Sequence, residues 1–214
     1  MDITWYGHAC FRLKGKQGTV ITDPYDKTLG LSLPSVKADI VTVSHDNPHH
    51  NHTTGVKGDF KVVDSPGEYE INGIFITGIH MGATKKKKSN NGTAKNNIFV
   101  IDVEDITICH LGDLNHVPTQ EQVEDMGSID VLLIPVGGQG ALNAAQAAEV
   151  ISLIEPYIVI PMHYSLPNLK LTFDPVSKFL KEMGIAKDET IDTLRLTKSS
   201  LSDETQVVLL QARI

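Results

Sequence analysis

The sequence predicts an α/β (α+β) chain built from two packed sheets with helices outside them. Three observations carry this. The first half, to about Asp113, is rich in short β-branched or alternating runs divided by turn residues. The second half alternates such runs with capped, amphipathic stretches. The runs Ile40-Val41-Thr42-Val43, Val131-Leu132-Leu133-Ile134 and Ile158-Val159-Ile160 are continuous and apolar, as expected of strands covered on both faces. Strands first and strands alternating with helices afterwards are compatible with a four-layer αββα sandwich.

The elements follow in order. Ile3 to Leu13, then Gly15 and Gly18, then Thr19-Val20-Ile21-Thr22 running into Asp23-Pro24, read as a β-hairpin. The run from Ile40 stops at Ser44-His45, and the residues to about Thr54 can form only loop or a short helix. Further strands are expected at Phe60 to Val63, at Tyr69 to Ile79 with a turn at Asn72-Gly73, at Ile98 to Val103 and at Ile106 to Leu111. Thr119-x-x-Gln122 is a capping box and Gly127 a fitting stop for a short helix. Asn143 caps a helix over Ala144 to Ile154, with Pro156 just beyond it. Asp174 as N-cap and Pro175 at the first helical position start another helix, which Gly184 ends. Thr193 to Leu196 and Val207 to Leu210 close the chain as strands. No repeat of fixed period and no linker divides it, so residues 1–214 are expected to form one domain.

The bulk composition is that of a globular protein, with 41% apolar and 21% charged residues. The net charge of -7, with histidine neutral, disfavours nucleic acid and anionic membrane unless basic residues gather locally. They do so at Lys85, Lys86, Lys87 and Lys88, either as a solvated loop tip or as a clamp for a phosphate-bearing small molecule. The two cysteines, Cys10 and Cys109, lie in apolar runs and suit buried reduced thiols. With no leader pattern and no apolar stretch approaching about 18 residues, a cytoplasmic setting without a membrane is expected. A homo-oligomer stays open.

The chemistry gathers at histidines. His45, His49, His50 and His52 fall within eight residues directly after a buried strand. Asp113 follows the strand that ends at Leu111-Gly112, His163 follows Ile158 to Met162, and His80 follows Gly78-Ile79. Strand ends hold a side chain in place while leaving it access to solvent, and one metal site fed from four strand ends explains the pattern economically. Imidazole and carboxylate are the donors zinc takes at catalytic sites. Solvated loop histidines are the bland alternative.

The segments Trp5-Tyr6-Gly7-His8-Ala9-Cys10-Phe11, Thr22-Asp23-Pro24, Ser44-His45-Asp46, Ser65-Pro66-Gly67-Glu68-Tyr69, His110-Leu111-Gly112-Asp113-Leu114, Ile134-Pro135-Val136-Gly137-Gly138 and Ile160-Pro161-Met162-His163-Tyr164 occur in this order. Together they resemble the signature blocks of the metallo-β-lactamase superfamily, in its small bacterial and archaeal zinc-dependent hydrolase branch, related to the ascorbate-phosphate lactonases. The resemblance implies the four-layer αββα metallo-β-lactamase fold and a zinc site of one or two ions, with manganese or iron as alternatives. It implies metal ligands at His45, His49, His50, His80, Asp113 and His163, with Asp113 and His49 as catalytic residues. The resemblance places His8 near the metal, where a structural histidine is equally open. Asp23 is read as a turn residue or as a carboxylate that fixes a ligand's tautomer.

The first motif departs from the family pattern. Where H-x-H-x-D-H is expected, the chain reads His45, Asn47, His49, His50. The amide of Asn47 is a poor zinc donor, so one half of a two-metal site should be weakened. His49 in place of aspartate removes a charge and a water-orienting group. Asn143 also stands where the family commonly has aspartate. The reading is therefore a metal-dependent hydrolase, in which metal-bound hydroxide attacks an ester, lactone or phosphodiester centre of a small molecule. The alternative is a scaffold of the same fold with one metal or none, acting by binding.

Overall fold

The computed structural model describes residues 1–82, 96–186 and 189–214; the basic run at Lys85 to Lys88 lies outside the described residues. The opening forms three antiparallel strands: β1 (Asp2–Trp5), β2 (Phe11–Lys14) and β3 (Thr19–Thr22). A short strand β4 (Val36–Lys37) precedes β5 (Ile40–Thr42), and β6 (Val56–Lys57) precedes β7 (Lys61–Val63). Strand β3 pairs parallel with β5, and β5 with β7. Next come the hairpin β8 (Gly67–Ile71) and β9 (Ile74–His80), then β10 (Asn97–Val103) and β11 (Ile106–His110). The hairpin turn is the expected Asn72-Gly73, both at positive φ, which matches the right-handed twist of the flanking strands.

From there strands and helices alternate: α1 (Gln120–Met126), β12 (Val131–Pro135), α2 (Ala144–Ile154), β13 (Ile158–Met162) and α3 (Val176–Glu182). Short strands β14 (Thr190–Ile191), β15 (Leu194–Arg195), β16 (Gln206–Val207) and β17 (Leu209–Leu210) follow. One sheet has the order β15-β1-β2-β3-β5-β7 and the other β16-β13-β12-β11-β10-β9-β8.

Capping follows the sequence closely. Thr119 with Gln122, and Asn143 with Gln146, form reciprocal capping boxes at α1 and α2. The start of α3 differs from expectation. Its N-cap is Pro175, and Asp174 lies one residue earlier, where its Oδ1 accepts from Lys178 Nζ at 2.6 Å. The carboxylate thus pairs with the first turn's lysine instead of capping an amide.

The apolar side chains explain the layering. Ile3, Trp5, Phe11, Leu13, Val20 and Ile40 of the first sheet share a buried cluster with Ile74, Ile76, Phe99, Ile101 and Ile108 of the second. Ala147, Val150, Phe179 and Leu180 extend that cluster from the helices across the second sheet. Strands β12 and β13 are therefore buried at every residue, as their unbroken apolar runs predicted. The outer face of the first sheet is covered differently. Ile21, Val41 and Val43 pack with Tyr25, Leu29, Leu31, Val36, Ala38 and Val56. These come from one-turn 3₁₀ segments, their flanking loops and the β4–β6 ribbon. Among the described residues, that layer of the αββα sandwich has no α-helix.

This topology positions the site. Strands β3 and β5 run parallel in the first sheet, and β11, β12 and β13 run parallel in the second. The segments leaving their carboxyl ends meet at one edge of the sandwich. Asn97 ties the sheets together there, donating its N–H to Ser44 O at 2.8 Å and its side-chain amide to Asp64 O at 3.0 Å.

Candidate metal centre

Each site residue sits just past a strand. Asp23 follows β3, Ser44 to His50 follow β5, Asp113 follows β11 and His163 follows β13. His8 lies in the turn between β1 and β2. Its carbonyl oxygen accepts from Trp5 Nε1 at 3.0 Å and from His163 N at 3.2 Å, which fixes the two histidine-bearing turns to each other. His8, Asp23 and His163 all have left-handed backbones, with φ of 51°, 38° and 56°. Non-glycine residues adopt this region at a cost, and such outliers cluster where geometry is imposed by the surroundings.

The side chains converge on Asp113. His163 Nε2 lies 2.7 Å and His50 Nε2 3.4 Å from Oδ1 of Asp113, and His45 Nε2 lies 3.5 Å from its Oδ2. His8 Nε2 lies 3.0 Å from His50 Nε2. The ring of His163 packs on His8 and on Phe173, with centroids 4.2 Å and 4.3 Å away. Two donor groups are compact enough to hold one ion: His8, His50 and His163, and His45, His50 and Asp113.

Asp23 governs the tautomers. It is fully buried, and its Oδ2 faces His50 Nδ1 at 2.8 Å. Its other oxygen accepts from Ser44 N at 2.7 Å, and Ser44 Oγ donates to Oδ2 at 2.6 Å. An ionised carboxylate only accepts, so His50 carries its proton on Nδ1 and presents a lone pair at Nε2. Ser44 Oγ has spent its hydrogen on Asp23 and so accepts from His45 Nδ1, 3.0 Å away. His45 Nε2 is then a lone pair as well. Two lone pairs aimed at one carboxylate repel it unless a positive charge stands between them. A shared proton or a metal cation meets that need, and the imidazole and carboxylate donors suit zinc and its neighbours.

The electrostatics agree. Burial would raise the Asp113 carboxyl, yet His50 and His163 outweigh it and hold it well below the usual carboxylate range. Burial, then His163 and His50, hold the His8 imidazole well below its ordinary value. Burial is also the main cause of the lowering at His45 and at His49. His50 moves the other way: burial opposes its charge, but Asp113 and then Asp23 raise it. Nδ1 of His8 and Nδ1 of His163 are buried without a hydrogen-bond partner among the described residues.

Two expected ligands stand outside these donor groups. His80 is exposed at the end of β9, its Nδ1 3.2 Å from Asn97 Oδ1, and it belongs to neither donor group. The strand carries it to the rim beside Asn97, apart from the donor groups in which it was expected. His49 also stands outside both groups: its Nε2 lies 3.3 Å from Thr28 Oγ1, so its ring turns toward Thr28. Asn47 Oδ1 accepts from His49 N at 2.9 Å and shapes the loop. His8 moves inward relative to expectation and joins a donor group. Ser44 and Asn96 were missed. Asn96 Oδ1 accepts from Asp113 N at 2.9 Å, and its amide donates to Leu111 O at 3.0 Å. Only the position of Ser44 beside His45 offered a signal for the first, and nothing local marked the second.

A cavity of about 560 Å³ opens over the centre, lined by His8, Asn47, His49, His50, Asp113 and His163 with Gln139, Lys170, Leu171, Thr172 and Phe173. Among the described residues it carries one lysine and one carboxylate, the latter already facing imidazoles.

The chain belongs to the metallo-β-lactamase superfamily: residues 2–163 match the family model described as the beta-lactamase superfamily domain. A UPF0173 metal-dependent hydrolase of Nanoarchaeum equitans is 32% identical over 224 residues, covering 90% of this chain and 100% of that protein. A second, of Thermoplasma acidophilum, is 30% identical over 195 residues, covering 79% and 85%. A solved structure from Thermotoga maritima, described as a candidate Zn-dependent hydrolase of the superfamily, is 40% identical, covers 98% of this chain and 99% of its own, and superposes with a TM-score of 0.80.

Proposed function

We propose that the protein is a metal-dependent hydrolase acting on a small, anionic ester, lactone or phosphodiester. The observation that carries this reading is the convergence of His45, His50 and His163 on Asp113, with Asp23 and Ser44 fixing two of the rings so that lone pairs face inward. His8, His50, His163 and Asp113 would hold the ion with His45 beside them, and zinc is the ion these donors suit best. An ion held there supplies Lewis acidity and eases the deprotonation of water near neutral pH.

The remaining roles belong to the chain itself. Asp113, held ionised by His50 and His163, balances positive charge at the centre. His49, at the mouth and with its imidazole lowered mainly by burial, is neutral near pH 7 and suited to carry a proton to or from a substrate. The Lys170 ammonium on the cavity wall attracts an anionic group, which extends the expectation of a phosphate-bearing substrate to a described residue. Two buried free cysteines favour a reducing, cytoplasmic setting. No helix among the described residues is long and apolar enough to cross a membrane.

The test is turnover by zinc-loaded protein of generic phosphodiester, lactone and carboxylate ester substrates, with Asp113→Asn as control. Hydrolysis that Asp113→Asn abolishes is the expected result. Asn47, whose amide oxygen is taken by the loop, supports a second reading in which the scaffold binds an anion without turning it over. Ligand binding with no turnover across the panel would establish that reading instead.

A further inference from the structure

The two donor groups cannot be filled independently. His50 commits Nδ1 to Asp23 at 2.8 Å, leaving Nε2 as the one donor of that ring. Both groups run through His50. An imidazole nitrogen has a single in-plane lone pair and binds one ion with it. A second ion beside His45 would therefore need donors of its own. Asn47 Oδ1 is occupied by His49 N at 2.9 Å, His49 Nε2 faces Thr28 at 3.3 Å, and His80 faces Asn97 at 3.2 Å. Among the described residues, His45 falls in a compact donor group only with His50 and Asp113. Zinc keeps three or four protein donors.

The other half gains what this half lacks. His8 is 1% exposed, its Nε2 lies 3.0 Å from His50 Nε2, and its turn is held to His163 through its own carbonyl oxygen. Its left-handed backbone, φ 51°, aims the ring at the centre. Its Nδ1 is buried without a partner among the described residues and its Nε2 meets only another imidazole, an arrangement that is costly without a common cation.

Building on the metal-centre reading above, we propose that this chain holds one divalent transition-metal ion, not two, in a set of His8, His50, His163 and Asp113. His8 replaces the donors that Asn47 and His49 fail to supply. His45 stands over the outer oxygen of Asp113 without completing a second set.

The test counts metal on the full-length protein. Chelator-stripped protein is incubated with excess Zn²⁺, desalted, and measured by elemental analysis and native mass spectrometry. One ion per chain is expected, and a His8→Asn variant should bind at least tenfold more weakly in competition with a chromophoric chelator. Asparagine suits the left-handed backbone, so this substitution tests the ring and not the turn. If the variant fails to fold, Co²⁺-loaded wild-type protein gives a second readout: an isolated paramagnetic centre supports the proposal, and a spin-coupled pair overturns it. Two ions per wild-type chain overturn the single-ion set while leaving the metal-centre reading intact. Unchanged affinity in His8→Asn removes His8 from the set. No bound metal at all overturns the underlying reading and this proposal with it.

Discussion

Oδ2 of Asp23 lies 2.8 Å from His50 Nδ1, and both residues are buried at the junction of β3 and the loop after β5. Asp23→Asn would keep the shape but present an amide that competes for the same donors. Metal affinity should fall by about 10–100-fold, the usual effect of losing a carboxylate behind a ligand histidine. Chelator competition measures it; an affinity within twofold of wild type would remove Asp23 from this role.

Metal-free protein should lose stability on acidification. His8, His45 and His110 have lowered values, with burial the largest cause in each case. Their contribution is complete above the unfolded value of about 6.5 and declines as pH falls from there toward the folded values, because the unfolded chain takes protons that the folded chain refuses. His50, with a raised value, works in the opposite sense: its contribution is complete below about 6.5 and is lost as pH rises through its folded value. With the less buried His49 and His116 lowered as well, five groups against one predict a lower urea midpoint at pH 5.5 than at pH 8. Asp23 and Asp113, both depressed, add a further loss only as pH falls below about 4.

Gly112 has φ 55°, and a Cβ there would lie 2.5 Å from Ser44 Cβ and 2.6 Å from Asn96 Oδ1. Gly112→Ala therefore strains the backbone and pushes on the two side chains that hold His45 and Asp113. A loss of roughly 2 kcal/mol is expected, seen as a melting point lower by about 4–8 °C. An unchanged melting point would mean that the turn relaxes freely.

Lys170→Gln should raise KM for anionic substrates by about fivefold, on the order of 1 kcal/mol for an exposed charge, and leave a neutral analogue unaffected. Equal effects on both would point to packing, since the lysine stem also lies near Gly30.

Asn143 caps α2 by accepting from Gln146 N at 3.0 Å. Asn143→Ala should cost about 1 kcal/mol in chemical denaturation, while Asn143→Asp should keep the cap. A loss of metal in Asn143→Ala would instead tie this residue to the centre.

Much of the fold was legible because local signals and burial agree. The unbroken runs at 131–134 and 158–160 became strands buried at every residue, the capping box at Thr119 formed as read, and the N-cap at Asn143 formed with Gln146 closing a box that had not been read. The site was legible where a strand fixes the exit direction, at Asp113 and His163. It was less so in the loop after β5, where spacing says nothing about which way a ring points: His50 turned inward while His49 turned toward Thr28. His80 shows the same limit, since the pairing of β9 between β8 and β10, and not its sequence, sets where its end arrives. The approach of His8 depends on a left-handed turn pinned by Trp5 and by the distant His163, a contact that no local pattern encodes. Lys170 and Thr172 belong to an irregular stretch with no period to read.

The helix-free cover on the first sheet has an evolutionary consequence. Residues 44–52 are carried by a segment whose neighbours are single turns and a two-strand ribbon, whereas Asp113 and His163 emerge from a sheet clamped between the shared interior and three helices. Substitutions in the former can change the chemistry without unravelling the molecule. Asn47 and His49, where the sequence departs from the motif it resembles, both lie in that helix-free part of the framework.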